Sequence, residues 1–274
     1  MNHTSKSTKS TNRTDSLPVA KNPKKVSTGD APIDHQSDAY SETYFDALYS
    51  DSTDPWQYQT RWYEKRKRDM CLSILPQAQY GNAIELGCGN GVFSELLARR
   101  CQALISIDGN KNAVQLAKKR LVESSHVRVI QGVIPHGLLT LDEALLSAYP
   151  LSNCPPPDQS PFDLIVISEI LYYLSPADID KVITWIEQNL AVGGTLLCCH
   201  WRYPIDGFEM TGETVHQRLY QAFNLANTVP NNKTLDGKVR QRTFTHQSKM
   251  VDTDFLLDVW QNSPKSVAMQ ENLV

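Results

Sequence analysis

From Asn82 onward, short continuously apolar runs alternate with longer stretches of helical periodicity. NAIELGC, ALISIDGN, VRVIQG, FDLIVISEI and TLLCCHW read as strands, apolar at successive positions and ending near Gly, Asn, Glu or Trp. Between them, GVFSELLARRC, KNAVQLAKKRLVES and PADIDKVITWIEQNL place apolar residues at helical spacing, and Gly193 and Gly194 turn the last helix into the next strand. Strands that are apolar throughout and separated by helices predict a parallel sheet covered on both faces. Upstream, Trp62, Met70, Leu72 and Leu75, spaced among Arg and Lys, predict a helix that ends before Pro76. Downstream, RTFTHQSKMVDTDFLLDVWQNSP reads as two strands forming an antiparallel edge. The expectation is an α/β fold: a doubly wound, mostly parallel seven-stranded sheet with an antiparallel C-terminal edge strand.

Composition limits what surrounds this core. A chain of 274 residues with 41% hydrophobic content buries one full core. Residues 1–38 are Ser, Thr, Asn and Lys with almost no large apolar side chain, and are expected to be a disordered tail. The folded domain is expected over 39–262, with a short tail at 263–274. Residues 138–161 interrupt the alternation; DEALLSAY within them suits a short helix, and a tolerated surface insertion is the preferred reading over a functional lid. A net charge of −3 without a basic block in the domain predicts no nucleic-acid partner. Six cysteines at no metal-ligand spacing predict no metal and a reducing compartment. No early apolar run and no span of about 20 apolar residues is present, so a soluble cytoplasmic protein, monomeric or weakly dimeric, is expected.

The chemistry begins at the first strand-to-helix turn. Gly87, Gly89 and Gly91 form G-x-G-x-G, with Glu85 two residues ahead. A dinucleotide fingerprint would have its third glycine at the position of Val92, and a P-loop would carry a Lys after the loop; neither pattern is present. What fits is S-adenosylmethionine, which has no phosphate and needs close backbone approach for its methionine chain. Asp108 ends the second strand, where an acceptor can take both ribose hydroxyls. Gln131 and Gly132 end the third, near the expected nucleobase, although a solvent-facing Gln131 fits equally; Ser168 opens the loop after the fourth.

IELGCGNG, SIDGN, FDLIVISEILYYL and GGTLLCCHW together resemble the class I S-adenosylmethionine-dependent methyltransferases. DPWQYQTRWYEKRK, SEILYYL, HWRYP and TGETVH are similar to the NodS-like branch, the nodulation N-methyltransferases that act on chitooligosaccharide amino groups. The likeness spans about Tyr44 to Val259 and departs in the long tail and the insertion before Phe162. It implies the Rossmann-like class I fold, S-adenosylmethionine as cofactor, and methyl transfer to an amine nitrogen of an amino sugar or oligosaccharide. The alternatives are O- or C-methylation of another metabolite, a non-catalytic donor-binding protein and, disfavoured by Val92, a nicotinamide oxidoreductase.

Methyl transfer needs an aligned acceptor with a free lone pair. Glu169 at the end of the fourth strand is either a base or a capping carboxylate; Tyr172 and Tyr173 follow on the same rim, as acceptor contact or core. His200, at the end of the fifth strand, is a second candidate base, with Trp201 and Arg202 beside it to stack on or grip an acceptor. Glu213 and His216 are expected on a bordering helix capped by Thr211. Trp56, Trp62, Tyr63 and Arg66 would cover the donor, Arg66 pairing with its carboxylate, unless this segment merely packs on the sheet edge.

Overall fold

The computed structural model describes residues 42–139, 141, 162–226 and 243–274; the expected tail over 1–38 and the DEALLSAY helix lie outside them. Strands β1 (Tyr80–Leu86), β2 (Cys101–Asp108), β3 (Val127–Gln131), β4 (Phe162–Ser168), β5 (Leu190–Trp201), β6 (Phe244–Val251) and β7 (Phe255–Asn262) form one sheet of order β3-β2-β1-β4-β5-β7-β6. β1 to β5 pair in parallel, since each connection between them is a crossover rather than a hairpin. The order reverses beside β1, which leaves a crevice between the loops after β1 and β4.

Alternation along the strands sends side chains to two covered faces. Ile84, Ile105, Ile165, Ile167 and Cys198 pack with helix α6 (Pro176–Asn189) and helix α7 (Gly212–Ala226) through Ile179, Val182, Ile186, Val215, Leu219 and Phe223. On the other face Ala83, Leu104, Leu164, Val166, Leu197 and Cys199 meet α2 (Trp62–Ser73) and α3 (Val92–Ala98) through Cys71, Phe93 and Leu97. Helix α1 (Glu42–Asp51) precedes this pair, and α4 (Lys111–Arg120), α5 (His136–Leu139) and α8 (Val267–Gln270) complete the described helices. Asn110 starts α4 by accepting from the amides of Asn112 and Ala113, and Ser175 with Pro176 starts α6. Thr211 caps α7 as expected, accepting from the Thr214 amide at 3.2 Å. No helix among the described residues is long and apolar enough to cross a membrane.

The antiparallel C-terminal pair forms the sheet edge as expected, and the structure adds two details. The antiparallel strand β7 lies one position in from the edge, between β5 and β6. Its eight residues are all buried, whereas β6 keeps mostly half-buried positions, so the more polar strand takes the solvated edge. In α2 the buried stripe is partly charged: Trp62 is 68% exposed and Met70 and Leu72 are half-buried against the core, while Glu64, Lys67, Arg68 and Cys71 are buried. Their spacing is a helical stripe, and their charges pair with one another, Lys67 with Glu64 at 3.2 Å and Arg68 with Glu64 at 3.8 Å.

Glu85, in the middle of the sheet, ties β1 to α3 and β2 by accepting hydrogen bonds from Ser94 and from Ser106. Burial pushes its carboxyl up to about 7, against the lowering effect of both hydroxyls. The native state therefore keeps a proton that the unfolded chain loses above about 4.3, and this stabilisation, at most about 4 kcal/mol, disappears as pH rises towards 7. Urea unfolding midpoints should fall between pH 4.5 and 7 in the parent chain, and this slope should flatten in Glu85→Gln; parallel slopes would refute the assignment.

Candidate active site

The loop after β1 is built by its backbone. Gly89 has φ +54°, and its amide donates to Asp108 Oδ2 at 2.8 Å across the crevice. A Cβ at Gly89 would stand 3.2 Å from the Tyr49 hydroxyl, so the absent side chain keeps this floor open. Gly91, φ +80°, serves a different purpose: its Cβ would lie 3.0 Å from Ala117 Cα, so it permits contact between α3 and α4. Asp108 Oδ1 accepts from the Asn110 amide at 2.9 Å, which leaves a lone pair on each carboxyl oxygen. Burial raises its pKa, opposed by the Asn110 and Gly89 amides.

A cleft of about 660 Å³, open mouth included, lies over this loop. Gly87, Gly89, Asp108 and Gly109 bound it on the sheet side with Ser168, Glu169, Ile170, Tyr172 and Tyr173; Phe45, Tyr49, Trp56 and Tyr58 cover it. An adjoining lobe of about 400 Å³ shares Glu64, Lys67, Gly87 and Glu169 and adds Arg68, Glu85, Cys88 and Asn90. Arg68 Nη2 fastens the cover by donating to the Tyr58 carbonyl at 2.7 Å, and two side-chain amides add to this. Asn110 Nδ2 donates to Asp46 of α1 at 2.8 Å, and Asn90 Nδ2 donates to Asp54 Oδ1 at 3.2 Å.

The wall between cleft and lobe is ionic. Glu169 has φ +62°, a conformation disfavoured for any residue with a Cβ, and its carboxylate takes three donors. Lys67 Nζ donates at 2.8 Å, the Tyr172 hydroxyl at 2.5 Å and the Trp201 amide at 3.1 Å. Burial opposes the charge of Lys67, but Glu169 and Glu64 outweigh it and hold the ammonium above its usual pKa. Burial, reinforced by Glu169, raises the Tyr172 phenol well above its ordinary value. Several buried polar atoms around the two spaces have no hydrogen-bond partner among the described residues: the Tyr49 hydroxyl, Asn90 Oδ1, and Arg68 Nε and Nη1. Buried groups of this kind need a partner from water or a bound ligand.

Of the residues expected at the site, Gly87, Gly89, Asp108, Ser168, Glu169, Tyr172, Tyr173 and Trp56 line the cleft and Glu85 the lobe. Others do not. His200 is fully buried away from the cleft, because its side chain leaves β5 towards α7, where Nδ1 lies 3.0 Å from His216 Nε2. His216 is likewise enclosed, against Asp258. Arg66 is on the outer side of α2, paired with Asp252 at 2.6 Å, and Arg202 is held by Glu213 and the Asp252 carbonyl. Trp201 packs edge-on against Tyr63, and Trp62 is exposed. Gln131 is exposed, donating to the Gly109 carbonyl at 3.4 Å; a Cβ on Gly132 would press on Ile107, so that glycine serves packing. Sequence reading missed Phe45, Tyr49, Tyr58, Glu64, Lys67, Arg68 and Asn90. The stripe Glu64, Lys67, Arg68, Cys71 was a usable signal; for Tyr49 and Asn90 there was none.

Comparison with known proteins follows the same lines. Residues 46–137 match the family model of nodulation protein S, NodS. Nodulation protein S of Rhizobium tropici is 32% identical over 146 residues, 53% of each chain, and this chain spans about half the length of the curated relatives it matches. A Pseudomonas syringae protein assigned to the methyltransferases is 32% identical, with 73% of this chain and 99% of that one covered and a TM-score of 0.51. N-methyltransferase NodS of Bradyrhizobium japonicum, solved with S-adenosyl-L-homocysteine, shares the fold at 24% identity and a TM-score of 0.56, covering 82% of this chain and 98% of its own. By sequence and by fold, the chain belongs to the methyltransferases of the class I fold, and over residues 46–137 it is similar to nodulation protein S.

Proposed function

We propose that residues 39–262 transfer a methyl group from S-adenosylmethionine to an amine nitrogen of a small acceptor, an amino sugar or amino-bearing oligosaccharide. The observation that carries this reading is the pairing of unpartnered buried groups with the open glycine loop. Arg68 offers two donors that make no hydrogen bond, Nη1 standing 3.8 Å from Glu64, and Asn90 offers an acceptor in the lobe beside Gly87, the two polarities that an α-amino acid end requires. At the far end Asp108 keeps lone pairs for a vicinal diol, and Gly89 leaves the space between without a side chain. When bound, S-adenosylmethionine supplies a methyl carbon on a sulfonium, which an acceptor nitrogen displaces.

The chain's own part is orientation, exclusion of water and a place for a proton. Tyr172 donates its hydroxyl hydrogen to Glu169, so its oxygen lone pairs are left to accept an N–H from the acceptor. Glu169 backs that phenol with a carboxylate that Lys67 and the Trp201 amide hold still. The aromatic cover of Phe45, Tyr49, Trp56 and Tyr58 keeps the reacting atoms out of bulk water. The amine preference is supported by the N-methyltransferase activity in the name of the Bradyrhizobium relative and by the carboxylate-backed phenol.

Two outcomes follow. Arg68→Met and Asp108→Ala should each weaken S-adenosylhomocysteine binding in calorimetry by roughly 1–3 kcal/mol, while Arg66→Met leaves it unchanged; a loss in Arg66→Met alone would reassign the carboxylate. With labelled donor and a panel of amines and alcohols, transfer should go to amines. Tyr172→Phe and Glu169→Gln should slow it by about 10²–10⁴ with donor affinity retained. Labelled alcohols, or full turnover in both variants, would overturn the acceptor side.

A further inference from the structure

We infer that His200, His216 and Asp258 are positioning residues for the turn Leu171–Tyr173, acting through the backbone amide of Leu171. Sequence reading placed His200 at the reacting centre and His216 on a helix bordering the acceptor pocket; the structure gives them another task. The Leu171 amide donates to His200 Nε2 at 3.3 Å, in a place where both residues are fully buried. It belongs to the first residue of a 3-10 turn, whose leading amides have no partner within the turn itself.

The direction of every hydrogen bond beyond it is then determined. An amide can only donate, so His200 Nε2 is a lone pair and its hydrogen sits on Nδ1. That Nδ1–H donates to His216 Nε2 at 3.0 Å, which puts the His216 hydrogen on Nδ1, and this donates to Asp258 Oδ2 at 2.5 Å. The chain ends on a carboxylate that can only accept. Burial opposes its charge, but hydrogen bonds from His216 and His246 outweigh that and hold Asp258 down at about 2. His246 Nε2 completes the other oxygen at 2.6 Å. Burial, then His216, keeps the His200 pKa well below its ordinary value, consistent with a neutral acceptor.

The relay therefore joins β5, α7 and β7 to the one turn that carries Tyr172 and Tyr173 into the cleft. The Tyr172 ring also packs edge-on against the His200 ring, centroids 5.6 Å apart. Loss of the acceptor at Nε2 would leave a buried amide unsatisfied beneath Tyr172, and the turn would shift to find another partner. The consequence for turnover rests on the reading of Tyr172 as the acceptor-side phenol; the consequence for the Leu171 amide does not.

The test uses the full chain with His200→Leu, which cannot accept the Leu171 amide, and His200→Gln, whose side-chain oxygen can. Nitrogen NMR of the parent should show both histidines as the Nδ1–H tautomer. In His200→Leu, hydrogen exchange at Leu171 should quicken at least tenfold and kcat fall at least tenfold, with S-adenosylhomocysteine affinity within twofold. His200→Gln should restore both to within about threefold of the parent. If His200→Leu does not fold, His216→Leu, which removes the support of His200 Nδ1, should quicken Leu171 exchange in the same way. An Nε2–H tautomer at His200, or equal losses in the Leu and Gln variants, would overturn the inference. Absence of transfer in the parent would defeat the proposed function alone, since tautomer and exchange are read without turnover.

Discussion

The contact between Lys67 and Glu169 fastens helix α2 to the wall of the cleft. Their charged atoms lie 2.8 Å apart with side chains 5% and 13% exposed, far enough from water that the pair gains only if each ion finds further partners. Each does: Lys67 takes Glu64 and lies 5.0 Å from the centre of the Tyr63 ring, and Glu169 takes Tyr172 and the Trp201 amide. Removing one partner from such a buried pair costs about 3–5 kcal/mol, comparable with the whole margin of stability of many domains. The left-handed backbone at Glu169 costs on the order of 1–3 kcal/mol, which those three hydrogen bonds offset. That ionic contact joins α2, the wall of the cleft and the Tyr172 hydroxyl.

Around that wall the sheet topology does the remaining work. Because strand order reverses between β1 and β4, the loops after these strands diverge and leave room that no helix fills. Gly89 keeps the floor bare, and its amide fixes Asp108 at one end. Asn90 and Asn110, each next to a backbone turn of the floor, reach up to Asp54 and Asp46 and fasten the aromatic cover. Floor and cover are therefore joined by neutral side-chain amides that donate to carboxylates, with Arg68 holding the Tyr58 carbonyl beside them.

The fate of the candidate histidines shows how a residue can stand at the right strand end and face the wrong way. On β5, Cys199 enters the core beneath α2 and α3, and Cys198 the core beneath α6 and α7. His200 shares the parity of Cys198 and is directed to α7, where His216 and Asp258 complete it. On α2, Arg66 and Arg68 are two positions and so about 200° apart around the helix, which puts one on Asp252 at the surface and the other beside the lobe.

The sequence alone determined the strands, the helices between them, the bare loop at Gly89 and the carboxylate of Asp108, since these depend on periodicity and turn chemistry within a few neighbouring residues. Tertiary structure decided which face of α2 is buried, that β7 is flanked on both sides, and that His200 supports a turn instead of meeting a ligand. These depend on partners distant in the chain: Lys67 and Glu169 are 102 residues apart, and His216 and Asp258 are 42 apart. A buried charge or imidazole is tolerated only where such a partner arrives to satisfy it, and local pattern carries no record of that arrival.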